Sequence, residues 1–348
     1  MAIEFLGWDL GGAHLKAVAL DSDGSARAAQ EPTPLWQGLE ELRRAIAAIR
    51  AGLEIGHTCR HALTMTGELA DSFCDRETGV STLIEAFLQH FPARSVAVYA
   101  GPAGFLRPGE IDRHHLLRIA SANWLATATW VARRVTDGML VDVGSTTSDL
   151  VLLGGGRPAQ RGHTDTERLR YDELIYTGVV RTALMALARR APWHGEWTSV
   201  MAEHFATTGD VYRITGELPE HADQHPSADG APKTVGASCR RLARMIGCDA
   251  DAGDGVPWQG LARYFRECQL SLLQQAWQRQ LSRGLVKVQC PVVGAGVGRF
   301  LVQELAARMG HPYQDIAELF PSQRDPRAPS VSDCAPAAAV ACLLREAS

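Results

Sequence analysis

Two stretches decide the fold: Gly7–Leu20, "GWDLGGAHLKAVAL", and Leu140–Leu153, "LVDVGSTTSDLVLL". Each is an apolar run, a turn of small residues and a second apolar run, with an aspartate just before the turn. Gly11 and Gly12 in one, and Gly144 and Ser145 in the other, punctuate the runs, so each reads as a β-hairpin opening a sheet. Small residues at a hairpin tip let backbone N–H groups approach an anion, because no Cβ stands in the way. Phosphate is the expected guest. In the first hairpin Lys16 and His14 add donors and Asp9 a carboxylate for a divalent cation. In the second, Ser145, Thr146 and Thr147 add hydroxyls and Asp142 a second carboxylate. A lone turn of this kind is more often only a tight turn, and it is the pairing that points to a phosphate site.

A third glycine-rich stretch, "VVGAGVGRF" from Val292, reads as a strand, a turn and a helix start. Gly294, Gly296 and Gly298 depart from the GxGxxG spacing, which argues against a dinucleotide-binding dehydrogenase. The turn suits a nucleotide base or ribose, and close helix–strand packing equally well. Between the hairpins the spacing predicts a helix over 38–51, with Leu39, Leu42, Ile46 and Ile49 on one face, and strands near 60–65 and 95–100. "SANWLATATWVARRVTDG" predicts a helix with Ser121 as its N-cap and Trp124, Ala128, Val131 and Val135 at helical spacing, linking the two halves. Residues 160–260 read as polar and turn-rich, with "ELPEHADQHPSADGAPK" a loop. A helix resumes at Thr234 with Val235, Cys239, Leu242, Ala243 and Ile246 along one stripe.

The 348 residues exceed what one core usually organises, so two domains are expected. Hydrophobic residues at 46% and charged residues at 21% place the chain among globular proteins. A net charge of -4 with scattered Lys and Arg marks no nucleic-acid surface. The longest apolar run, "APAAAVACLL" from Ala335, falls well short of the ~20 residues that span a bilayer. Glu4 and Asp9 interrupt any signal-peptide core, so no membrane association and a cytoplasmic location are expected. The eight cysteines form no CxxC and read as free thiols. Neither they nor the histidines, His221 and His225 included, cluster at zinc-ligand spacing.

"DLGGAHLK", "DVGSTTSD", "VVGAGVGRF" and "DCAPAAAVACLL" stand in the order of the phosphate 1, phosphate 2, adenosine and second connecting motifs of the actin, Hsp70 and sugar kinase superfamily, which the chain resembles over nearly its whole length. The resemblance implies an α/β fold of two RNase H-like domains, of actin-like ATPase type, with an interdomain cleft. Domain I is then expected over 1–137, joined by a C-terminal helix at 335–348, and domain II over 138–334 with a polar insertion around 190–235. Within the superfamily the chain resembles the hydantoinase A and oxoprolinase group. "TMTGELAD" from Thr64, "SANWLATA" from Ser121, "TDTERLRYDELIYTGVVRT" from Thr164 and "FATTGDVYRITGEL" from Phe205 resemble its branch tied to tetrahydromethanopterin-linked one-carbon metabolism and to methanofuran or methylofuran biosynthesis. That branch implies a transferase that joins an aminomethylfuran-methyl diphosphate to a tyramine-type phenol, releasing diphosphate and forming an aryl ether.

In this reading Asp9 and Asp142 hold Mg²⁺, while Lys16, His14 and the turns Gly11-Gly12 and Gly144-Ser145-Thr146-Thr147 cradle the diphosphate. Lys16 and Asp142 thereby also serve the chemistry. Glu68, following a predicted strand, is the candidate base for the phenol proton. Arg168 or Arg170, near Tyr171 and Glu173, is expected to bind a substrate carboxylate or the diphosphate. Asn123 at a helix start, Gly294 and Gly296 are expected against the substrate. Asp149 reads as structural, Trp124 as core, and Trp193, His194 and Trp197 as a packed cluster. The partners are small-molecule substrates, and a homo-oligomer is left open. Two alternatives remain at this point: an ATP-dependent kinase or amidohydrolase, and a nonenzymatic ATP-binding protein of the actin kind.

Overall fold

The first hairpin is β1 (Ile3–Leu10) against β2 (His14–Asp21), antiparallel, with Asp9 opposite Lys16. A computed structural model describes residues 3–56, 59–250, 255–325 and 329–348 of the protein. β3 (Ala26–Pro32) continues the meander beside β2. After α1 (Leu39–Gly52), β4 (Arg60–Met65) returns parallel to β1, and after α2 (Arg76–Leu88), β5 (Val96–Tyr99) runs parallel to β4. Parallel neighbours need crossovers, and the two helices supply them. β6 (Phe105–Leu106) closes the edge, giving the order β3-β2-β1-β4-β5-β6. α1 buries Leu42, Ala45, Ile46 and Ile49, on the face that the spacing predicts.

α3 (Arg113–Ile119) and α4 (Asn123–Ala132) follow. Ser121 is not the N-cap of α4. Ala122 holds that position, and Ser121 sits one residue earlier with a left-handed backbone, φ 49°. The second hairpin is β7 (Gly138–Val143) with β8 (Ser148–Gly154), and β9 (Arg157–Pro158) pairs briefly with β8. α5 (Asp165–Tyr171) and β10 (Leu174–Ile175) lead to the hairpin of β11 (Arg190–Trp193) and β12 (Glu196–Ser199). Then come α6 (Thr208–Thr215), α7 (Val235–Arg244), α8 (Gly255–Leu281), β13 (Val292–Ala295), α9 (Arg299–Met309) and β14 (Tyr313–Asp315). The second sheet runs β10-β8-β7-β13-β14.

The polar stretch 160–260 is more structured than its composition implies. Val211, Ile214, Leu242, Ala243 and Ile246 from α6 and the region of α7 meet Trp258, Leu261 and Phe265 of α8 in one core. Trp193 stacks on Trp258 with ring centroids 4.5 Å apart, whereas Trp197 is exposed. Val235, expected on the apolar stripe of α7, is exposed too. The loop 217–233 is pinned by charge. Asp223 pairs with Arg213 and with Lys233 (3.0 Å), and Asp229 pairs with Arg241 (3.1 Å) and Arg244 (2.9 Å).

The final helix, α10 (Ala335–Glu346), packs on the first sheet, and its "APAAAVACLL" run is buried throughout. A β-carbon on Gly7 of β1 would lie 1.9 Å from the Ala337 carbonyl oxygen, so a helix of small residues crosses a strand at a glycine with backbones nearly touching. Two compact units result. The first comprises Met1–Gly138, Leu153–Ala159 and Gln314–Ser348, and the second Met139–Leu152 and Gln160–Tyr313. The expected second boundary, at 334, therefore moves to Tyr313. The reason is local: Ala26 exchanges backbone hydrogen bonds with Ser322 and Arg324, and Trp130 stacks on Phe320 while donating to the Leu319 carbonyl. Residues 153–159 join the first unit through bonds such as Gly156 N–H to the Thr136 carbonyl, 2.9 Å. α4, expected to link the halves, lies wholly within the first unit and packs on α10. All eight cysteines are free thiols, and no helix among the described residues is long and apolar enough to cross a membrane.

Candidate functional site

In the first unit, the turn after β1 closes on itself. The Gly11 N–H donates to the carbonyls of Asp9 and His14, each at 3.1 Å, and a β-carbon on Gly11 would lie 2.6 Å from the His14 oxygen. Gly11 is therefore needed for the turn, and its amide is used there rather than aimed at an anion, a correction to its expected role. Gly12 differs: the nearest atom to a β-carbon there is Gly67 Cα at 3.9 Å, ordinary contact. His14 is buried and contributes its carbonyl to the turn. Asp9 is 6% exposed at the end of β1, between Lys16 on β2 and Thr64 on β4 in the strand register. Half-buried Lys16 donates to the Asp333 carbonyl at 2.6 Å, just before α10.

The segment leaving β4 lies directly against this turn. Thr66 N–H donates to the Leu10 carbonyl at 3.0 Å, and a β-carbon on Gly67 would stand 3.0 Å from the Leu10 oxygen and 3.3 Å from Gly11 C. Glu68 follows in a short 3₁₀ turn and is 1% exposed. Its Oε1 accepts a hydrogen bond from Ser121 Oγ at 2.7 Å. The first unit thus gathers Asp9, Gly12, Lys16, Glu68 and Ser121 around one end of its sheet, where loops leaving strand ends build ligand sites in α/β folds. Half-buried Asn123 bends back to accept from the Trp124 N–H at 2.7 Å, so its side-chain oxygen serves the helix start.

In the second unit, the Gly144 N–H closes its turn onto the Thr147 carbonyl at 2.8 Å, so that amide too is occupied by the turn. Ser145, Thr146 and Thr147 are half-buried. The turn is clamped by a segment whose role the sequence did not disclose, Gly178–Arg181. Val179 N–H donates to the Gly144 carbonyl, and Val180 and Arg181 N–H both donate to the Ser145 carbonyl. A β-carbon on Gly178 would lie 2.4 Å from Ser145 C and from Thr146 N, so only glycine fits. Buried Gln269 on α8 holds the clamp, donating to Thr177 Oγ1 and the Gly178 carbonyl, each at 2.9 Å, while accepting from Tyr212 at 2.6 Å. The "TGVVR" run of small and β-branched residues was the visible signal.

Asp142 sits at the end of β7 opposite Ala295 of β13. The third glycine turn is filled by packing. A β-carbon on Gly294 would meet the Tyr313 ring at 2.6 Å, on Gly296 the Asp142 Oδ1 at 2.3 Å, and on Gly298 the Val143 and Val179 side chains at 2.5 and 2.6 Å. Of the two readings of this turn, close packing is the one that accounts for its glycines, and Gly294 and Gly296 have no side-chain space left for a substrate. Arg299, at the start of α9, donates to the Gly296 carbonyl at 3.0 Å.

Arg168 is also corrected. It is 1% exposed, 2.8 Å from Asp149, and donates to the Glu173 carbonyl at 2.9 Å. Burial pushes the Asp149 carboxyl up, and the Arg168 guanidinium opposes that shift. Glu173 accepts from the amides of Arg161 and Gly162. This charge cluster ties α5 to the second sheet, in line with the structural reading of Asp149, and commits the Arg168 guanidinium to Asp149 and the Glu173 carbonyl rather than to a substrate. Arg170 is exposed on α5.

Among the described residues no three His, Cys, Asp or Glu side chains gather into a metal-ligand cluster. A cation that keeps most of its waters and binds through one or two carboxylates plus phosphate oxygens does not require one. Asp9 in the first unit and Asp142 in the second are each an oxygen donor beside a closed turn, the donor type that such a cation takes.

The profile of the hydantoinase/oxoprolinase family matches residues 60–319. The chain is 30% identical over 252 residues, 72% of its length and 74% of the relative's, to the "(4-{4-[2-(gamma-L-glutamylamino)ethyl]phenoxymethyl}furan-2-yl)methanamine synthase" of Methanocaldococcus jannaschii. A protein of the same name from Methanococcus vannielii is 34% identical over 111 residues, 32% of this chain and 50% of that one. Among solved structures, a nucleotide-free acetone carboxylase superposes with a TM-score of 0.55 at 10% identity, over 89% of this chain and 68% of its own, a likeness of fold alone. The chain belongs to the hydantoinase/oxoprolinase family.

Proposed function

We infer that the protein is a transferase of methanofuran-type biosynthesis, forming an aryl ether from a furan-methyl diphosphate and a phenol of the tyramine class, γ-glutamyltyramine or a tyrosine derivative, with release of diphosphate. The observation that carries this is the 30% identity to a synthase over 74% of that enzyme's length. That relative's name describes a phenoxymethyl-furan product, and such a bond is what the two substrates would make.

The chemistry is within reach of the residues present. The carbon next to an electron-rich furan carries developing positive charge well, so the main tasks are to stabilise departing diphosphate and to place the phenol oxygen in line. The C–O bond to diphosphate breaks with its electron pair going to the leaving group, and the phenol oxygen forms the new C–O bond. The phenol proton goes to the Glu68 carboxylate. A carboxylate is a weak base toward a phenol of pKa about 10, but it suffices when proton loss follows cleavage on a cation-like path. In the first unit Lys16 and the amide of Gly12, beyond the closing glycine, are the donors for diphosphate oxygens; in the second, the amides of Ser145 and Thr146 are donors of the same kind. Mg²⁺ would supply charge neutralisation at those oxygens, with Asp9 the candidate carboxylate for it in the first unit and Asp142 in the second.

The test is incubation of the protein with the aminomethylfuran diphosphate, Mg²⁺ and candidate phenols after rigorous removal of nucleotide, following diphosphate release and product mass together. Full activity without ATP supports the transferase. A strict ATP requirement with ADP as product replaces it with the kinase or amidohydrolase reading.

A further inference from the structure

Glu68 is fixed from two sides by groups to which the proposed chemistry assigns no part. On one side α2 makes room for it: a β-carbon on Gly79 would stand 2.5 Å from the Glu68 carbonyl oxygen and 2.9 Å from its Cα and Cβ. On the other, Ser121 Oγ donates to Oε1 at 2.7 Å, a length typical of a hydroxyl bound to a carboxylate. Ser121 lies in the short link between α3 and α4 with φ 49°. That left-handed conformation costs a non-glycine residue roughly 1 kcal/mol or more. Like Glu54 beyond α1, Ser121 is the residue just past the C-cap of its helix, α3, a place where a left-handed residue is usually glycine or asparagine. Glycine or asparagine is what relieves such a backbone, so a serine here calls for a separate reason, and its hydroxyl provides one.

We propose that Ser121 is a positioning residue for the Glu68 carboxylate. Its O–H holds Oε1, fixes rotation about Cγ–Cδ and, as a donor to a carboxylate, favours the ionised form that takes the phenol proton. With this left-handed backbone the hydroxyl reaches the 3₁₀ turn after β4. This inference rests on the reading of Glu68 as the base.

Two variants separate hydroxyl from backbone. Ser121→Ala removes the hydroxyl and keeps the unfavourable β-carbon; Ser121→Gly removes the hydroxyl and relieves the backbone. The glycine variant is expected to be the more stable of the two, yet both should lose about tenfold in kcat with KM within about twofold, and neither should lower kcat further in a Glu68→Gln background. A second readout does not need turnover. The ¹³C carboxyl resonance of Glu68, assigned by its absence in Glu68→Gln, should titrate about one pH unit higher in both Ser121 variants than in the parent protein. An unchanged Glu68 titration, losses that add to that of Glu68→Gln, or a kcat that tracks the stability difference between the variants overturns the assignment. Should the parent protein form no ether at all, the functional reading falls, and the resonance alone decides whether Ser121 sets the state of Glu68.

Discussion

Gly296 and Asp142 compete for the same space: a β-carbon on Gly296 would lie 2.3 Å from Asp142 Oδ1 and equally close to the Val143 carbonyl oxygen. Gly296 also has φ +79°. From sequence, a bulky residue at 296 is expected to crowd a nucleotide or furan and raise KM. The geometry redirects that expectation, because the added atoms displace the Asp142 carboxylate and the end of β7 instead. Gly296→Ala should lower kcat at least about tenfold with a smaller change in KM, and should also lower the melting temperature. A selective rise in KM at undiminished kcat and stability would restore the substrate-contact reading.

Asp9 and Asp142 each lie at the end of a strand leading into a closed turn, one in each unit, and each is a carboxylate we propose for Mg²⁺. Asp9→Asn and Asp142→Asn should each cut turnover by about a hundredfold or more while circular dichroism reports a folded protein, as expected when charge stabilisation of a leaving group is lost. Near-normal rates in both variants would remove the metal assignment.

Lys16, opposite Asp9 in the first hairpin, donates to the Asp333 carbonyl at 2.6 Å. If diphosphate occupies that turn, free diphosphate inhibits competitively against the furan substrate, and Lys16→Ala weakens that inhibition by about tenfold. Inhibition unchanged in the variant would place the leaving group elsewhere.

The two hairpins and the strands near 60–65 and 95–100 were legible because their signals are local, an apolar run, a small-residue turn and another apolar run; the strand order was not, since the pairings of β1 with β4 and of β4 with β5 are non-local. Gly7 shows what local reading misses. It sits mid-strand, where glycine weakens a sheet, and its reason is α10, more than 300 residues away in sequence. α8 was legible in principle, since Trp258, Leu261, Ala262, Phe265, Leu273, Ala276 and Trp277 recur at helical spacing and are buried. Buried Gln269 on the same helix blurs that pattern, and the same glutamine holds the Gly178 clamp. The turns and the placement of Asp9, Asp142 and Glu68 at strand ends were readable. Ser121 and Gly178 were not, because their partners come from other elements. Arg168 misled because a charge run looks solvated until its partner Asp149 is found in a neighbouring strand. Gly7→Ala, which must push α10 off β1, is expected to cost about 1–3 kcal/mol in urea denaturation, whereas Gly12→Ala, with only ordinary contact around it, should cost little. Equal costs would show that the α10 crossing relaxes freely.

His61 carries the clearest pH dependence in the first unit. Its Nδ1 accepts from Trp8 Nε1 at 3.1 Å, its ring lies 4.1 Å from that of Phe91 between centroids, and it is 2% exposed. Burial, with the nearby Arg50 charge adding to it, lowers its pKa to about 4. The unfolded chain has the ordinary histidine value near 6.5. Between those values the unfolded state binds more protons than the folded state, so stability rises with pH across this window. The contribution is complete above about pH 6.5 and is lost as pH falls through about 4. From pH 7 to pH 5 the parent protein should lose about 2 kcal/mol through this group alone. His61→Gln keeps an acceptor for Trp8 and does not titrate, so urea midpoints measured at both pH values should fall less in the variant. All other titrating groups are common to both proteins and cancel in the comparison. Parallel losses in parent and variant would mean that His61 is protonated in the folded state, and the Trp8–His61 hydrogen bond as drawn would then be wrong.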